Sequence, residues 1–376
     1  MVKLFDRQVV IDIGYNPYGL EASSTRWVIG GDMSRPMQPV TVSTDIIRYK
    51  AKYTTEEAEP VSERFHNGQF VRTDGLYFTF NVNKDTSSFD NVASITIHNM
   101  NSETFSTIKG MIEKFESQVE AVNGFTGVDV QISAGYLSEG APKGILFKGQ
   151  IVGMTWSKSG SSTSVTIEAA EGIFARRNAV FSKSYAPGTT LNKFISDAVG
   201  SLENLGIDVA SFTEVLSKIK VDDESPLVTA KLPGGATYHG LALHVLDKTL
   251  RKYGFKTYIN NEALVVRPAD MSYEDDERVP ILTPISGLIA EPALTADGRV
   301  SVQSLLIPNL TIGSRFIVSS FPPEFTSYVF NNRALPHLES DELVPNPHMQ
   351  RSFVIDKINY TGDSKTGNFV MNLEGI

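Results

Sequence analysis

Residues 95–101 read Ile95-Thr96-Ile97-His98-Asn99-Met100-Asn101, and residues 305–311 read Leu305-Leu306-Ile307-Pro308-Asn309-Leu310-Thr311. Both follow one grammar: apolar, any residue, apolar, any residue, Asn, apolar, polar. Each is followed by a hairpin pattern that opens on Phe, Phe147 to Gly172 in the first copy and Phe353 to Gly375 in the second. Asn99 and Phe147 lie 48 positions apart, and Asn309 and Phe353 lie 44 apart. In both hairpins the closing strand ends on a Glu followed by a Gly, Glu168 before Gly172 and Glu374 before Gly375. Self-similarity at this range predicts one β-rich unit used twice. The plainer alternative is two ordinary β-domains that both end in hairpins.

Working outward, strand signals dominate the first half. Leu76 to Asn83 alternates apolar and mostly polar residues, which buries one face and wets the other. Asp90 to Asn99, Val128 to Ile132 and Val165 to Glu168 continue the pattern. Between them Asn101-Ser102 offers an N-cap, followed by Phe105, Ile108, Ile112 and Phe115 at helical spacing. One amphipathic helix against a strand-rich sheet or barrel is predicted.

The middle changes character. Leu191, Phe194, Ile195, Ala198 and Val199 form a helical stripe after Pro187-Gly188-Thr189. Ser211 and Glu214 fit a capping box. Leu241, Ala242, Val245, Leu246, Leu250 and Tyr253 form a second stripe, closed by Gly254 as a C′ residue. Phe255 to Ile259, Asn260-Asn261 and Leu264 to Val266 read as a hairpin with a tight turn. This is a small α/β unit. After the acidic run Glu274-Asp275-Asp276-Glu277, strands return over Val300 to Ile307 and Phe316 to Val318. Pro322 to Pro347 has no periodicity and reads as an exposed loop. The closing hairpin is expected to turn at Gly362 to Gly367.

Composition narrows the function classes. The chain has 376 residues, 41% hydrophobic and 20% charged, enough for two or three domains with real cores. Net charge is −9, so no general attraction to phosphate backbones is expected. With no cysteine, disulfides and thiolate chemistry are excluded. The N-terminal residues lack the apolar core of a signal peptide, and no apolar run nears the roughly 18 residues a membrane span needs. A soluble chain assembled in a cytoplasm is expected.

Nothing in the sequence points to catalysis. There is no G-x-G-x-x-G, phosphate-binding loop, H-E-x-x-H or G-x-S-x-G. The serines from Ser157 to Ser164 fit a hairpin tip. His239 and His244 are five apart and would not share a helix face as metal ligands do. Glu168 with Glu171, and Asp356 with Asp363, are pairs that 43 carboxylates bring about in any fold, and they do not indicate a glycosidase. Glu168 and Glu374 read as facing solvent or a neighbouring subunit. Trp27 and Trp156 read as core or interface anchors.

Ser286 to Pro292, Val300 to Leu310, Gly313 and a Gly362-Asp363 turn together resemble the C-terminal part of baseplate hub proteins of tailed bacteriophages. Phe5 to Gly14, Asn81 to Met100 and the Ile145-Leu146-Phe147-Lys148-Gly149 pattern resemble the N-terminal part. Residues 30–75, with Arg35-Pro36, Pro39 and Pro60, depart from the pattern as an insertion, for which contact with a phage-specific neighbour is expected.

The resemblance implies an α+β, mostly β fold: two tail-tube-like β-barrel domains (1–182 and 274–376) flanking the small α/β domain (183–273). It implies a structural virion protein, assembled in the host cytoplasm. Three chains would present six similar modules, joining a threefold central spike to a sixfold tube and lining a channel for DNA. Expected partners are two further copies, the spike, a tube initiator or tape-measure protein, and other baseplate proteins. No cofactor, metal or sequence-specific nucleic acid binding is expected. The alternatives are a cell-wall-degrading tail enzyme and a hub of a related contractile injection system. The candidate assembly and turn residues are Asn99, Phe147, Gly149, Leu305, Ile307, Pro308, Asn309, Gly313, Phe353, Gly362 and Asp363. Among them Pro308, Asn309 and Gly313 are expected to form turns, Pro by its fixed φ, Asn and Gly by tolerating left-handed backbone.

Overall fold

The computed structural model describes residues 7–14, 25–28, 38–41, 46–53, 61–66, 69–74, 77–87, 91–118, 128–136, 143–210, 212, 230–232, 234–268, 279–284, 286–290, 292–294, 299–318, 351–364 and 368–376. The expected capping box at Ser211 and Glu214, the acidic run and the 322–347 loop lie outside them, as do the side chains of Trp27, Phe115 and the 30–75 insertion.

The fold is α+β and mostly strand. The first part comprises β1 (Arg7–Gly14), the detached pair β2 (Thr25–Val28) and β3 (Gln38–Thr41), then β4 (Ile46–Tyr53), β5 (Val61–His66), β6 (Gln69–Asp74), β7 (Tyr77–Asp85) and β8 (Val92–His98). Helix α1 (Ser102–Gln118) follows, then β9 (Asp129–Tyr136), β10 (Lys143–Ser159) and β11 (Ser162–Ala170). The middle holds α2 (Ile173–Asn178), β12 (Val180–Tyr185), α3 (Leu191–Glu203), β13 (Ala236–Leu241), α4 (Ala242–Arg251), β14 (Phe255–Asn260) and β15 (Ala263–Pro268). The last part has β16 (Ile281–Leu282), β17 (Ala293–Leu294), β18 (Val300–Leu305), β19 (Arg315–Val318), β20 (Arg351–Asp363) and β21 (Phe369–Gly375).

One 15-stranded sheet runs β17-β18-β21-β20-β7-β8-β11-β10-β9-β1-β4-β5-β6, with β16 and β19 attached through β20. Strands β4 to β6, within the stretch expected to be an insertion, continue this sheet beyond β1. The order repeats: β8-β11-β10 in the first part matches β18-β21-β20 in the last. In each copy the leading strand pairs with the second strand of the following hairpin. Each hairpin also carries a register shift at the same place, between Ile151 and Gly153 in β10 and between Ile355 and Lys357 in β20. Just past it, Gly153 faces Glu168 and Lys357 faces Glu374. Such a bulge bends its strand and increases the local twist, which curls the sheet.

These pairings fix the register of the repeat. Ser94 faces Glu168 and Ser301 faces Glu374, so Ser94 and Ser301 are equivalent. The offset is then 207, whereas aligning Asn99 with Asn309 gives 210. The two asparagines occupy different places: Asn99 directly follows β8, and Asn309 lies four residues past β18. A shift by an odd number flips every side chain in a period-2 strand. At an offset of 207 the buried Ala93, Ile95 and Ile97 match the buried Val300, Val302 and Ser304.

Two cores result. The larger joins residues of the first and last parts, from Val9 to Leu373, under one continuous sheet. Helix α1 covers it through Ile108 and Met111, with Phe105 edge-on to Trp156 at 4.8 Å. Asn101 caps the helix, its Oδ1 accepting from the Thr104 N–H at 2.8 Å. The smaller core spans Ala175 to Val266 and packs α3 and α4 together. Its hairpin turns one residue later than expected: Asn261 (φ 51°) and Glu262 (φ 63°) form the two-residue loop between the paired Asn260 and Ala263. Positive φ at both loop residues matches the strand twist, as in type I′ hairpins. His239 lies in β13 and His244 in α4, so the two do not share an element.

Candidate assembly surface at the module junction

The first and last parts meet where β7 pairs with β20, Thr79 to Asp85 against Lys357 to Asp363. Alternation in β7 buries Phe78, Phe80, Val82 and Lys84 and leaves Asn81 and Asn83 exposed. Gly362 and Asp363 form this joint and are not a turn. The strand runs through them, with Gly362 opposite Phe80 and Asp363 opposite Thr79, and the hairpin turns after Asp363. A Cβ on Gly362 would fall 2.0 Å from Phe80 Cζ, so the ring occupies the space a side chain would take. Tyr77 donates its hydroxyl hydrogen to Asp363 Oδ2 at 2.7 Å. That bond, then burial, pushes the Tyr77 phenol up to about 12.

Two polar clusters bind the middle unit to this joint. In the first, Lys84 Nζ lies 2.6 Å from Glu171 Oε1, both side chains fully buried. The Lys84 ammonium also donates to Asn260 Oδ1 (3.0 Å) and Asn261 Oδ1 (2.6 Å). Glu171 Oε2 accepts from Asn91 Nδ2 and from the Asn261 N–H, both at 3.0 Å. Glu262, held at positive φ, accepts from the Gly172 N–H at 2.7 Å. Burial pushes the Lys84 ammonium below its usual range, and Glu171 opposes that. In the second cluster the bulged Asp356 accepts from Thr86 Oγ1, Lys256 Nζ (3.2 Å) and Arg299 Nη1 (2.9 Å). Burial raises this carboxyl, but the Thr86 hydrogen bond and the two cations hold it below its usual value. Each cluster draws on all three parts of the chain, Asn260 of the first also accepting from Thr311 Oγ1. The cost of removing buried charges from water offsets much of their mutual attraction, so such pairs add little net stability, while loss of one partner is costly.

The predicted residues distribute around this joint. Phe147 is fully buried, with Lys84 Nζ 5.8 Å from its ring centroid. A Cβ on Gly149 would come within 2.6 Å of that ring and 2.8 Å of the Ala170 carbonyl. Leu305 and Ile307 are half-buried, while Val302 and Leu306 face the core, which decides the two faces of that stretch. Pro308 and Asn309 form a turn closed by the Leu310 N–H bonding to the Ile307 carbonyl at 3.1 Å. Its outer side lies against Gly144, where a Cβ would be 3.1 Å from Pro308 Cβ. The left-handed asparagine is Asn99 (φ 56°) and not Asn309. Proline at the second position of a type I turn leaves the third at negative φ, so Asn309 has no need of that region. Gly313 does adopt it (φ 80°), and a Cβ there would lie 2.3 Å from Tyr258 Oη. Phe353 is buried against Phe316, ring centroids 5.8 Å apart.

Sequence reading missed the wet face of the joint. Gln303, Asn372, Asn359 and Asn83 stand in one cross-strand row over β18, β21, β20 and β7. Asn359 Nδ2 donates to Asn81 Oδ1 at 3.0 Å and also reaches Asn83. The neighbouring row is Asn81, Thr361 and Ser94, and the next Thr79, Thr96 and Thr166. Lys357 pairs with Glu374 at 3.3 Å on the same face. The result is a broad amide and hydroxyl surface whose charges are mostly acidic: Asp85 opposite Lys357, Glu168 opposite Ser94, and Asp363 opposite Thr79. The alternating asparagines of β7 were its sequence signal, but the partner strands lie more than two hundred residues away. Among the described residues no cluster of three His, Asp or Glu is placed to hold a metal, and no helix is long and apolar enough to cross a membrane.

The family model described as baseplate hub gp41 matches residues 61–326. No curated protein matches the chain. Among solved structures, a tail protein from Neisseria meningitidis MC58 is similar at a TM-score of 0.49 and 9% identity, over 82% of this chain and 93% of that one. The 43 kDa tail protein of prophage MuSo2 from Shewanella oneidensis is similar at 0.46 and 9%, over 82% and 94%. An E. coli component of the type VI secretion system is similar at 0.38 and 10%, over 80% and 74%.

Proposed function

Because the chain belongs to the baseplate hub gp41 family, and is thus a structural hub of the phage tail, we propose that it works as a homotrimer. In this reading the units 1–182 and 274–376 act as like modules and 183–273 braces them. Three chains supply six modules. A threefold spike then meets a sixfold tube without mismatched surfaces, since symmetric assembly needs like faces at like angles. The observation that supports this reading is the repeated strand order on both sides of the β7–β20 joint. Spike, tube initiator or tape-measure protein and other baseplate proteins are the partners proposed.

We assign the amide and hydroxyl face to the channel through which DNA passes. Cationic walls would hold the phosphate backbone, and a dry apolar wall would not be wetted. Amides and hydroxyls with a mostly acidic scatter of charge avoid both. The hub has no catalytic role in this reading.

Light scattering on the purified chain, alone and with its spike, tests the assembly. Particles of three chains are expected. A single-chain mass in both conditions overturns the trimer. A peptidoglycan-clearing assay with the same preparation is expected to show no activity.

A further inference from the structure

Lys84 breaks the pattern of its strand. Alternation in β7 turns Phe78, Phe80, Val82 and Lys84 inward, so an amine stands where a fourth apolar side chain is expected. A buried ion pair needs only the carboxylate of Glu171. Here Lys84 Nζ also lies against two side-chain amides, Asn260 Oδ1 at 3.0 Å and Asn261 Oδ1 at 2.6 Å.

Glu171 bridges the amine and one of those amides. Its Oε1 lies 2.6 Å from Lys84 Nζ, and its Oε2 accepts from the Asn261 backbone N–H at 3.0 Å. Asn91 holds the carboxylate in place, its Nδ2 donating to Oε2 at 3.0 Å and to the Ile259 carbonyl at 2.9 Å. The buried Phe147 ring stands beside the amine, its centroid 5.8 Å from Nζ. Burial, which lowers the Lys84 pKa, favours the neutral amine, and a desolvated neutral amine is a nucleophile. An amine, a carboxamide and a proton-carrying carboxylate held in mutual reach are the parts an acyl transfer needs.

The two amides differ. Asn260 Oδ1 also accepts from Thr311 Oγ1 at 3.3 Å, so it is fixed from two sides and positions the amine. Asn261 Oδ1 is nearer to Nζ, and its own backbone is tied to Glu171.

We propose that Lys84 and Asn261 join through an isopeptide bond, with Glu171 as the proton carrier. Glu171 takes a proton from the Lys84 ammonium, and the freed amine attacks Asn261 Cγ. The new C–N bond forms as the carbonyl electron pair moves onto Oδ1. Glu171 then delivers its proton to Nδ2, the oxygen pair returns, and the Cγ–Nδ2 bond breaks. Ammonia leaves and takes up the remaining extra proton of the attacking nitrogen. An ammonium and a primary amide thus become a secondary amide and an ammonium ion, and Glu171 ends as the carboxylate it began as. The bond ties β7 to the β14–β15 turn across 177 positions. Closing so long a loop removes conformational entropy from the unfolded chain. A chain without cysteine has no disulfide to do this.

The purified full chain, denatured for intact-mass spectrometry, is expected to be lighter than its sequence by one ammonia. Protease digestion should release one branched peptide joining residues 84 and 261. Lys84→Arg and Glu171→Gln chains should keep the full sequence mass. A natural chain at full mass overturns the proposal. So does an ammonia loss that persists in Lys84→Arg or maps to a linear peptide, since an asparagine also loses ammonia by closing on its own backbone. A branch at Asn260 overturns the choice of acceptor. The readout is the mass of one chain, so its outcome is separate from that of the trimer.

Discussion

Phe80 of β7 and Gly362 of β20 are register partners across the joint, and the phenylalanine ring fills the space left by the missing glycine side chain. An aromatic laid over a glycine in a neighbouring strand pins register and shields the backbone. Gly362→Ala places a methyl 2.0 Å from Cζ of that ring, so the ring or the strand must shift. The expected cost is about 1–3 kcal/mol, the range for overpacking. Phe80→Leu in the same chain should recover part of it in thermal unfolding.

The buried Lys84–Glu171 pair gives a second expectation. Lys84→Met leaves the Glu171 carboxylate without its cation in a fully buried place, at about 3–5 kcal/mol. Lys84→Met together with Glu171→Leu should cost clearly less than the sum of the single changes. Urea unfolding of the four chains measures that coupling, and additive effects would show that the two side chains act separately.

Asp356 sets an acid limit. Its carboxyl is held below the usual value in the folded chain. A depressed carboxylate contributes stability that is present above its unfolded pKa of about 4 and is lost as pH falls through the lower folded value. Asp356→Asn should therefore be less stable than the natural chain at pH 7, and the gap should narrow below about pH 4. Urea midpoints across that range test it; a constant gap would place the effect in packing.

The two asparagines of the repeated grammar should respond differently. Asn99 has φ 56° and accepts from the Thr163 N–H at 3.4 Å, so Asn99→Ala should cost about 1–2 kcal/mol, the strain of left-handed backbone. Asn99→Gly should be milder. Asn309→Ala, at an exposed position of negative φ, should stay within about 0.5 kcal/mol. Melting temperatures of the three variants decide.

Much of this architecture is legible in the chain because it is local. The alternation of β7, the Asn101 cap and stripe of α1, the stripes of α3 and α4, and both closing hairpins follow from periodicity and turn chemistry. The repeat was visible through its hairpins. Its register was not, because Asn99 and Asn309 match in a short string while the equivalence is set by Glu168 and Glu374 pairing with their serines. Gly362-Asp363 has the composition of a turn, and only the distant β7 makes it a strand. The Lys84 and Asp356 clusters gather single residues from three parts of the chain, and no spacing rule announces such a meeting.

The joint also orders events in time. Asn81 and its partner Thr361 are 280 positions apart, so on a ribosome β7 is complete long before its covering strand exists. Throughout synthesis the nascent first module presents a bare strand margin, the kind of surface on which chains misassociate. Its outward asparagines make that margin hydrophilic while it waits. The residues that seal it are translated long after it, so a chain cut short before residue 351 would keep a sticky flank that β20 otherwise hides.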